Sequence, residues 1–234
     1  MNVQVYDHPS KKVLITGTSG TGKTTLLEKL LRKEKARYKF VFDHQGEFAH
    51  RFKVEPCYGP ENLCEAVAAG GWVCFDPVQM YPGKTPEAFS FFCDFAFCMA
   101  TTQKGRKIFI CDELQKLVDN AKTPDELMCI LDTGRRYQLD FFGISQAPNL
   151  IHNAIRNQLT EVYTFRQSDE NAIKFLDANG FNETQVRNLK GHDYLWRNLS
   201  TGENNFGVGT ALPDDPRDSS PVPPRERPAV ETNS

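Results

Sequence analysis

The sequence predicts an α/β fold of three layers, with a mostly parallel central sheet between two layers of helices. Three observations predict it. Short apolar runs such as Lys12–Thr16 (KVLIT), Lys107–Cys111 (KIFIC) and Leu139–Ser145 (LDFFGIS) alternate with longer segments of helical character. The runs are close to wholly apolar, as strands covered on both faces must be. With 234 residues, 39% hydrophobic and 25% charged, the chain has the size and composition of one ordinary soluble globular domain plus a short extension.

Taken in order, strand Lys12–Thr16 runs into a glycine-rich turn and a helix reaching about Glu34, with Leu26, Leu27, Leu30 and Leu31 on its apolar side. Residues 39–43 (KFVFD) form a second strand. A helix near 61–69 precedes a third strand at 72–75, and a helix at 86–100 precedes strand Lys107–Cys111. Helix 124–137 leads to strand Leu139–Ser145, and a shorter helix at 149–157 leads to strand 161–166. Two small helices and a hairpin around 194–196 and 205–208 complete the domain, which spans residues 1–211. Residues 212–234 are rich in proline and charge, without an aromatic side chain; they cannot bury enough apolar area to offset chain entropy and read as a disordered tail.

Composition excludes several classes. Lys plus Arg is 28 and Asp plus Glu is 30, a net charge of −2, so nucleic acid can be met only by local basic patches. Such patches exist: Lys29, Arg32, Lys33, Lys35, Arg37 and Lys39 in one stretch, and Lys104, Arg106 and Lys107 in another, although lysines at a helix C-terminus also serve the dipole. Seven cysteines, an odd number with no C-x-x-C pair, indicate buried free thiols and neither a disulfide framework nor a zinc ribbon. The five histidines show no metal-ligand spacing. The most apolar stretch, 89–100, is 12 residues long and carries Asp94; it reads as a buried helix, and no membrane span is expected.

The strongest chemical signal is Gly17-Thr18-Ser19-Gly20-Thr21-Gly22-Lys23-Thr24, followed by Thr25. It fits G-x-x-x-x-G-K-[ST] without mismatch, and it follows a strand and opens a helix, as that motif requires. Its glycines let backbone N–H groups turn toward a phosphate, and the helix N-terminus adds partial positive charge. Lys23 is placed to bridge the β- and γ-phosphates of ATP, and Thr24 to offer its hydroxyl to Mg2+. The second signal is the acid pair ending strand Ile108-Phe109-Ile110-Cys111. Asp112 would hold Mg2+ and Glu113 would take a proton from the attacking water; an acidic cap for a helix starting at Leu114 is the plainer alternative. The third is Gln146 after Ile144-Ser145, at a strand end where an amide can touch both γ-phosphate and water.

With those signals in that order, the chain resembles the FtsK–HerA superfamily of P-loop ATPases. Within it, the chain looks most like the genome-packaging ATPases of tailless, membrane-containing double-jelly-roll viruses. The likeness covers about residues 12–197 and rests on GTSGTGKTT, on FDHQGEF at 42–48, on FICDE, and on GISQAPNLIHNAIRNQ at 143–158. It implies a RecA-like (ASCE) arrangement with an extra strand between the phosphate-loop and acid-pair strands. It also implies a ring, hexameric by preference, whose neighbouring subunit supplies an arginine; Arg135, Arg136, Arg156 and Arg166 are the candidates. The expected function is hydrolysis of ATP to drive double-stranded DNA into a preformed capsid, with capsid-vertex or portal proteins as partners. The expected setting is the infected host's cytoplasm or the virion. A Zot-like ATPase extruding single-stranded DNA at a membrane and a non-hydrolysing nucleotide switch remain the alternatives.

Overall fold

The computed structural model describes residues 10–118 and 123–209; the expected tail at 212–234 lies outside the described residues. In chain order the elements are β1 (Lys12–Thr16), α1 (Lys23–Lys33), β2 (Tyr38–Phe42), α2 (Glu47–Phe52), β3 (Pro56–Cys57) and α3 (Pro60–Ala69). Next come β4 (Gly71–Phe75), α4 (Thr85–Thr102), β5 (Lys107–Cys111), α5 (Leu114–Leu117), α6 (Asp125–Thr133) and β6 (Leu139–Ser145). The last are α7 (Asn153–Arg156), β7 (Glu161–Thr164), α8 (Glu170–Ala178), α9 (Glu183–Asn188), β8 (Tyr194–Asn198) and β9 (Asn204–Gly207). The strands form one sheet in the order β3-β4-β2-β5-β6-β1-β7-β8-β9. All pairings from β3 to β7 are parallel, and β8 and β9 add an antiparallel hairpin. The expected three-layer, mostly parallel fold is therefore the observed one.

Alternate side chains of each central strand face opposite layers. Val13 and Ile15 of β1, Val41 of β2 and Ile108 and Ile110 of β5 meet Leu26, Leu27 and Leu31 of α1 on one face. Leu14, Phe40, Phe42, Phe109 and Cys111 meet α3, α4 and α6 on the other. The run that looked most membrane-like becomes α4, whose Phe89 and Phe92 rings lie 5.1 and 6.0 Å from Phe42. Phe92 also stacks 5.3 Å from Phe75. Both side chains are fully buried, so this aromatic plate carries much of that face. Phe92→Ala is expected to cost about 3–5 kcal/mol of unfolding free energy, read as a lowered urea midpoint. No helix among the described residues is long and apolar enough to cross a membrane. Of the free cysteines, Cys57, Cys74, Cys93 and Cys111 are buried, whereas Cys64, Cys98 and Cys129 are exposed.

Two local readings are corrected. The helix expected at 124–137 ends at Thr133 and tightens into a 3-10 turn, Gly134–Tyr137. A Cβ at Gly134 would stand 2.6 Å from the Leu139 carbonyl oxygen, so the chain reverses there too closely for a continuing helix. The helix expected at 149–157 is broken into a 3-10 turn, Pro148–Leu150, and α7. Ile151 between them is extended and buried, and His152 restarts the helix by accepting the Ala154 N–H on its ring nitrogen. The short elements α2 and β3 lie in the stretch 47–57, which carries too brief a pattern to read.

At the edge where the parallel strands begin, an ion-pair network ties four elements together. Glu34 accepts from Lys11 and Arg106, and Asp140 accepts from Arg106 and from the Lys11 backbone N–H. Arg106 is thereby consumed inside the fold. Lys107 is buried with its ammonium on the Tyr137 carbonyl, and burial lowers its pKa to about 8.

Candidate active site at the phosphate loop

Because β1, β2, β5 and β6 run parallel and in register, the residues following each of them reach one edge of the sheet. Phe42 pairs with Cys111, Cys111 with Gly143, and Thr16 with Ser145. That register brings the phosphate loop, the FDHQGEF run, the acid pair and Gln146 together at the edge where open α/β sheets hold ligands. β6 lies between β5 and β1, which is the expected extra strand.

The loop is built on backbone demands. Gly17 has φ 151°, and a Cβ there would stand 2.6 Å from Phe165 Cβ, so no other residue fits. Gly20 and Gly22 also have positive φ, at 74° and 99°. Thr18 N–H donates to the Arg166 carbonyl at 3.1 Å, and the Thr21 hydroxyl donates to the Thr18 carbonyl at 2.8 Å. α1 opens at Lys23 with neither a side-chain cap nor an acidic residue in its first turn. Its first N–H groups are thus left for an anion. The buried Lys23 ammonium lies across the loop, 2.8 Å from the Thr18 carbonyl. Burial lowers its pKa, and Asp112 and Glu113 oppose that shift, so all three charges share one neighbourhood. Thr25, counted with the phosphate loop, accepts from Arg51 of α2 at 2.6 Å, and Arg51 also pairs with Glu28 at 2.9 Å.

The acid pair divides its work by environment. Asp112 accepts the Glu113 N–H at 2.6 Å, and burial raises its pKa. Glu113 sits in the left-handed region at φ 47°, a conformation that costs about 1–2 kcal/mol and aims its side chain along the site. Gln45 Nε2 donates to one Glu113 oxygen at 2.7 Å, and Gln146 Nε2 donates to the other at 3.3 Å. Lys116, one turn on, forms an ion pair with Glu113, and His44 Nε2 stands 4.0 Å away. Burial lowers the His44 pKa, so its ring favours the neutral form.

Several site neighbours were not singled out from the sequence. Gln45 and His44 are held by a tight turn in which buried Asp43 points inward to accept the Ala49 N–H at 2.8 Å, and Gly46 takes φ 71°. The signal was available: a polar run directly after a central parallel strand lands at the ligand edge. Gln167, buried, donates to the Thr16 hydroxyl at 2.9 Å and to the Gln146 carbonyl at 3.3 Å, joining two strand ends. His192 lies 3.0 Å from the Thr21 carbonyl, and nothing in its local sequence marks it. Gln45→Ala is expected to lower kcat about tenfold with little change in KM, since Glu113 loses its closest neutral donor; steady-state kinetics would show it.

The four arginines are spread out. Arg166 is exposed just past β7, beside the phosphate loop, whereas Arg135 and Arg136 are exposed before β6, at the opposite edge. Arg156 bonds Asn153 and lies over the Phe175 ring at 5.6 Å, lining a cavity of about 980 Å³ beside the start of β7. That cavity does not include the phosphate loop. No group of three or more His, Cys, Asp or Glu able to hold a metal occurs among the described residues. A magnesium ion here would therefore draw on the Thr24 hydroxyl, the Asp112 carboxylate, water and substrate phosphates, the few hard oxygens that such an ion takes.

Residues 5–58 match the family of type IV secretion-system coupling protein DNA-binding domains. No protein of curated function matches the chain by sequence. Among solved structures, the genome packaging NTPase B204 from Sulfolobus turreted icosahedral virus 2, in complex with AMP, is 16% identical with a TM-score of 0.67, covering 85% of this chain and 97% of that one. The same protein with AMPPCP superposes at 0.63. VirB4 of Thermoanaerobacter pseudethanolicus is 14% identical with a TM-score of 0.57, covering 86% of this chain and 90% of that one. The fold is shared with a viral genome-packaging NTPase over nearly the whole of that protein.

Proposed function

We propose that the chain is a motor ATPase that hydrolyses ATP to move double-stranded DNA into a preformed capsid. The observation that carries the reading is the convergence of Lys23, Asp112, Glu113 and Gln146 on one sheet edge, with Gln146 bonded to Glu113. Residues 17–25 would cradle the triphosphate, and Lys23 would leave the Thr18 carbonyl for the β- and γ-phosphates. Thr24 and Asp112 would hold Mg2+, which when bound neutralises developing phosphate charge. Glu113 would accept the proton of the attacking water, and Gln146 would orient that water against the γ-phosphate. A kinase transferring phosphate to a hydroxyl has less need of such a glutamate, so the acid pair favours hydrolysis.

Function in a ring would require an arginine from the neighbouring subunit. Of the four candidates, Arg135 and Arg166 have no side-chain partner among the described residues. The partners would be duplex DNA and capsid-vertex or portal proteins, in the infected cell or the virion. The match of residues 5–58 to a secretion coupling domain supports a second reading, a motor passing DNA across a membrane.

ATP hydrolysis by the purified protein, with and without duplex or single-stranded DNA, separates the readings. Stimulation by duplex DNA supports packaging, and stimulation by single strands alone supports the second reading. Nucleotide binding without turnover under all conditions would leave only a switch.

A further inference from the structure

The two basic stretches, about 65 residues apart in sequence, meet in the fold. β2, β5 and β6 are adjacent, with Tyr38 paired to Lys107 and Lys107 to Leu139, so their starts share the edge opposite the phosphate loop. Arg37 N–H donates to the Arg106 carbonyl at 2.8 Å, and a Cβ at Gly105 would lie 3.3 Å from Arg37 Cβ. Lys107 N–H donates to the Gln138 carbonyl at 2.8 Å, which brings in the turn carrying Arg135 and Arg136.

Arg106 and Lys107 are consumed internally, Arg32 pairs with Glu28, and Lys39 lies over the Trp72 ring at 5.0 Å. Lys35, Arg37, Lys104, Arg135 and Arg136 are exposed, and none forms an ion pair among the described residues. Arg37 and Arg136 lie over the rings of Tyr38 and Tyr137 at 5.3 and 5.7 Å, which limits the freedom they would lose on binding. Of the carboxylates at this edge, Glu34 and Asp140 are occupied by Lys11 and Arg106, and Asp132 accepts from Gln158 beside Lys12. A chain of net charge −2 thus gathers unpaired positive charge on one rim, against mutual repulsion.

We propose that this rim, centred on Lys35, Arg37 and Lys104 and extended by Arg135 and Arg136, is a track for the phosphodiester backbone of duplex DNA. The proposal rests on the motor reading above and names the surface that would meet its substrate. Three adjacent strand ends span about 10 Å. That width reaches phosphates on both sides of a minor groove about 6 Å wide. Contact with phosphates alone carries no base preference, as a motor that moves along any sequence requires. Nucleotide and DNA then occupy opposite edges of one sheet.

The test is the salt dependence of binding for the full chain, using a labelled duplex of mixed sequence, a single strand of equal length and phosphatidylserine vesicles. In the triple variant Lys35→Gln, Arg37→Gln, Lys104→Gln, the duplex slope of log K against log salt should shrink by about 2.7, with affinity reduced about tenfold or more at moderate salt. The charge-keeping variant Lys35→Arg, Arg37→Lys, Lys104→Arg should bind as wild type, and DNA-free ATP hydrolysis should be unchanged in both. Wild-type duplex binding with an unaltered slope in the triple variant would overturn the rim and leave the motor reading standing. A wild type that binds no DNA would overturn both. Loss confined to vesicles or to the single strand would reassign the rim to that partner.

Discussion

Glu113→Gln should abolish turnover while sparing nucleotide affinity, with kcat falling by about 10²–10⁴-fold, the usual worth of a positioned general base. The substitution keeps the size of the side chain and one of the two oxygens that accept from Gln45 and Gln146, and it removes the proton-accepting charge. The left-handed backbone at φ 47° is equally costly for glutamine, so stability should change little. Single-turnover hydrolysis beside equilibrium binding of a fluorescent ATP analogue separates the two effects. Hydrolysis at the wild-type rate would remove Glu113 from the base role and pass it to a water relayed by Gln146.

Lys23→Ala should act on both binding and rate. The ammonium is buried, within the field of Asp112 and Glu113, and it donates to a loop carbonyl that it can leave. In the proposed mechanism its removal would leave the developing γ-phosphate charge without this cation, an expected loss of about 10²–10³-fold in kcat. ATP affinity should weaken as well, because the charge also meets the ground-state phosphates. Equal ATP affinity and rate in the variant would mean that the loop backbone and helix end suffice, and that Lys23 is structural.

The parallel core was legible because its strands announce themselves. KVLIT, KIFIC and LDFFGIS lie where the sequence puts them, to the residue, since strands buried on both faces tolerate few polar positions. Breaks were harder to read. Residues 134–137 keep helical composition, and only the close approach of Gly134 to the Leu139 carbonyl ends the helix, a contact fixed by tertiary packing. At the site, the phosphate loop, acid pair and Gln146 were readable because each is a short local pattern. Gln45 was within reach as part of the polar run after β2, but Gln167 was not, since its importance lies in a pairing across 151 residues of chain. The basic stretches were visible as composition. Their sorting into buried Lys107, paired Arg106 and exposed Lys104 depended on carboxylates at Glu34 and Asp140, far away in sequence.

The place of β1 between β6 and β7 has a consequence for the life of the newly made chain. The strand that carries the phosphate loop is synthesised well before both its sheet partners, which come more than 120 residues later. At ribosomal speeds of about 5–20 residues per second, β1 waits on the order of ten seconds before either can pair with it. Through that interval the loop has no Arg166 carbonyl to hold Thr18 and no Phe165 to pack on Gly17. On the proposed function, ATP binding would therefore be a late event in biogenesis, acquired when β6 and β7 close the sheet around β1.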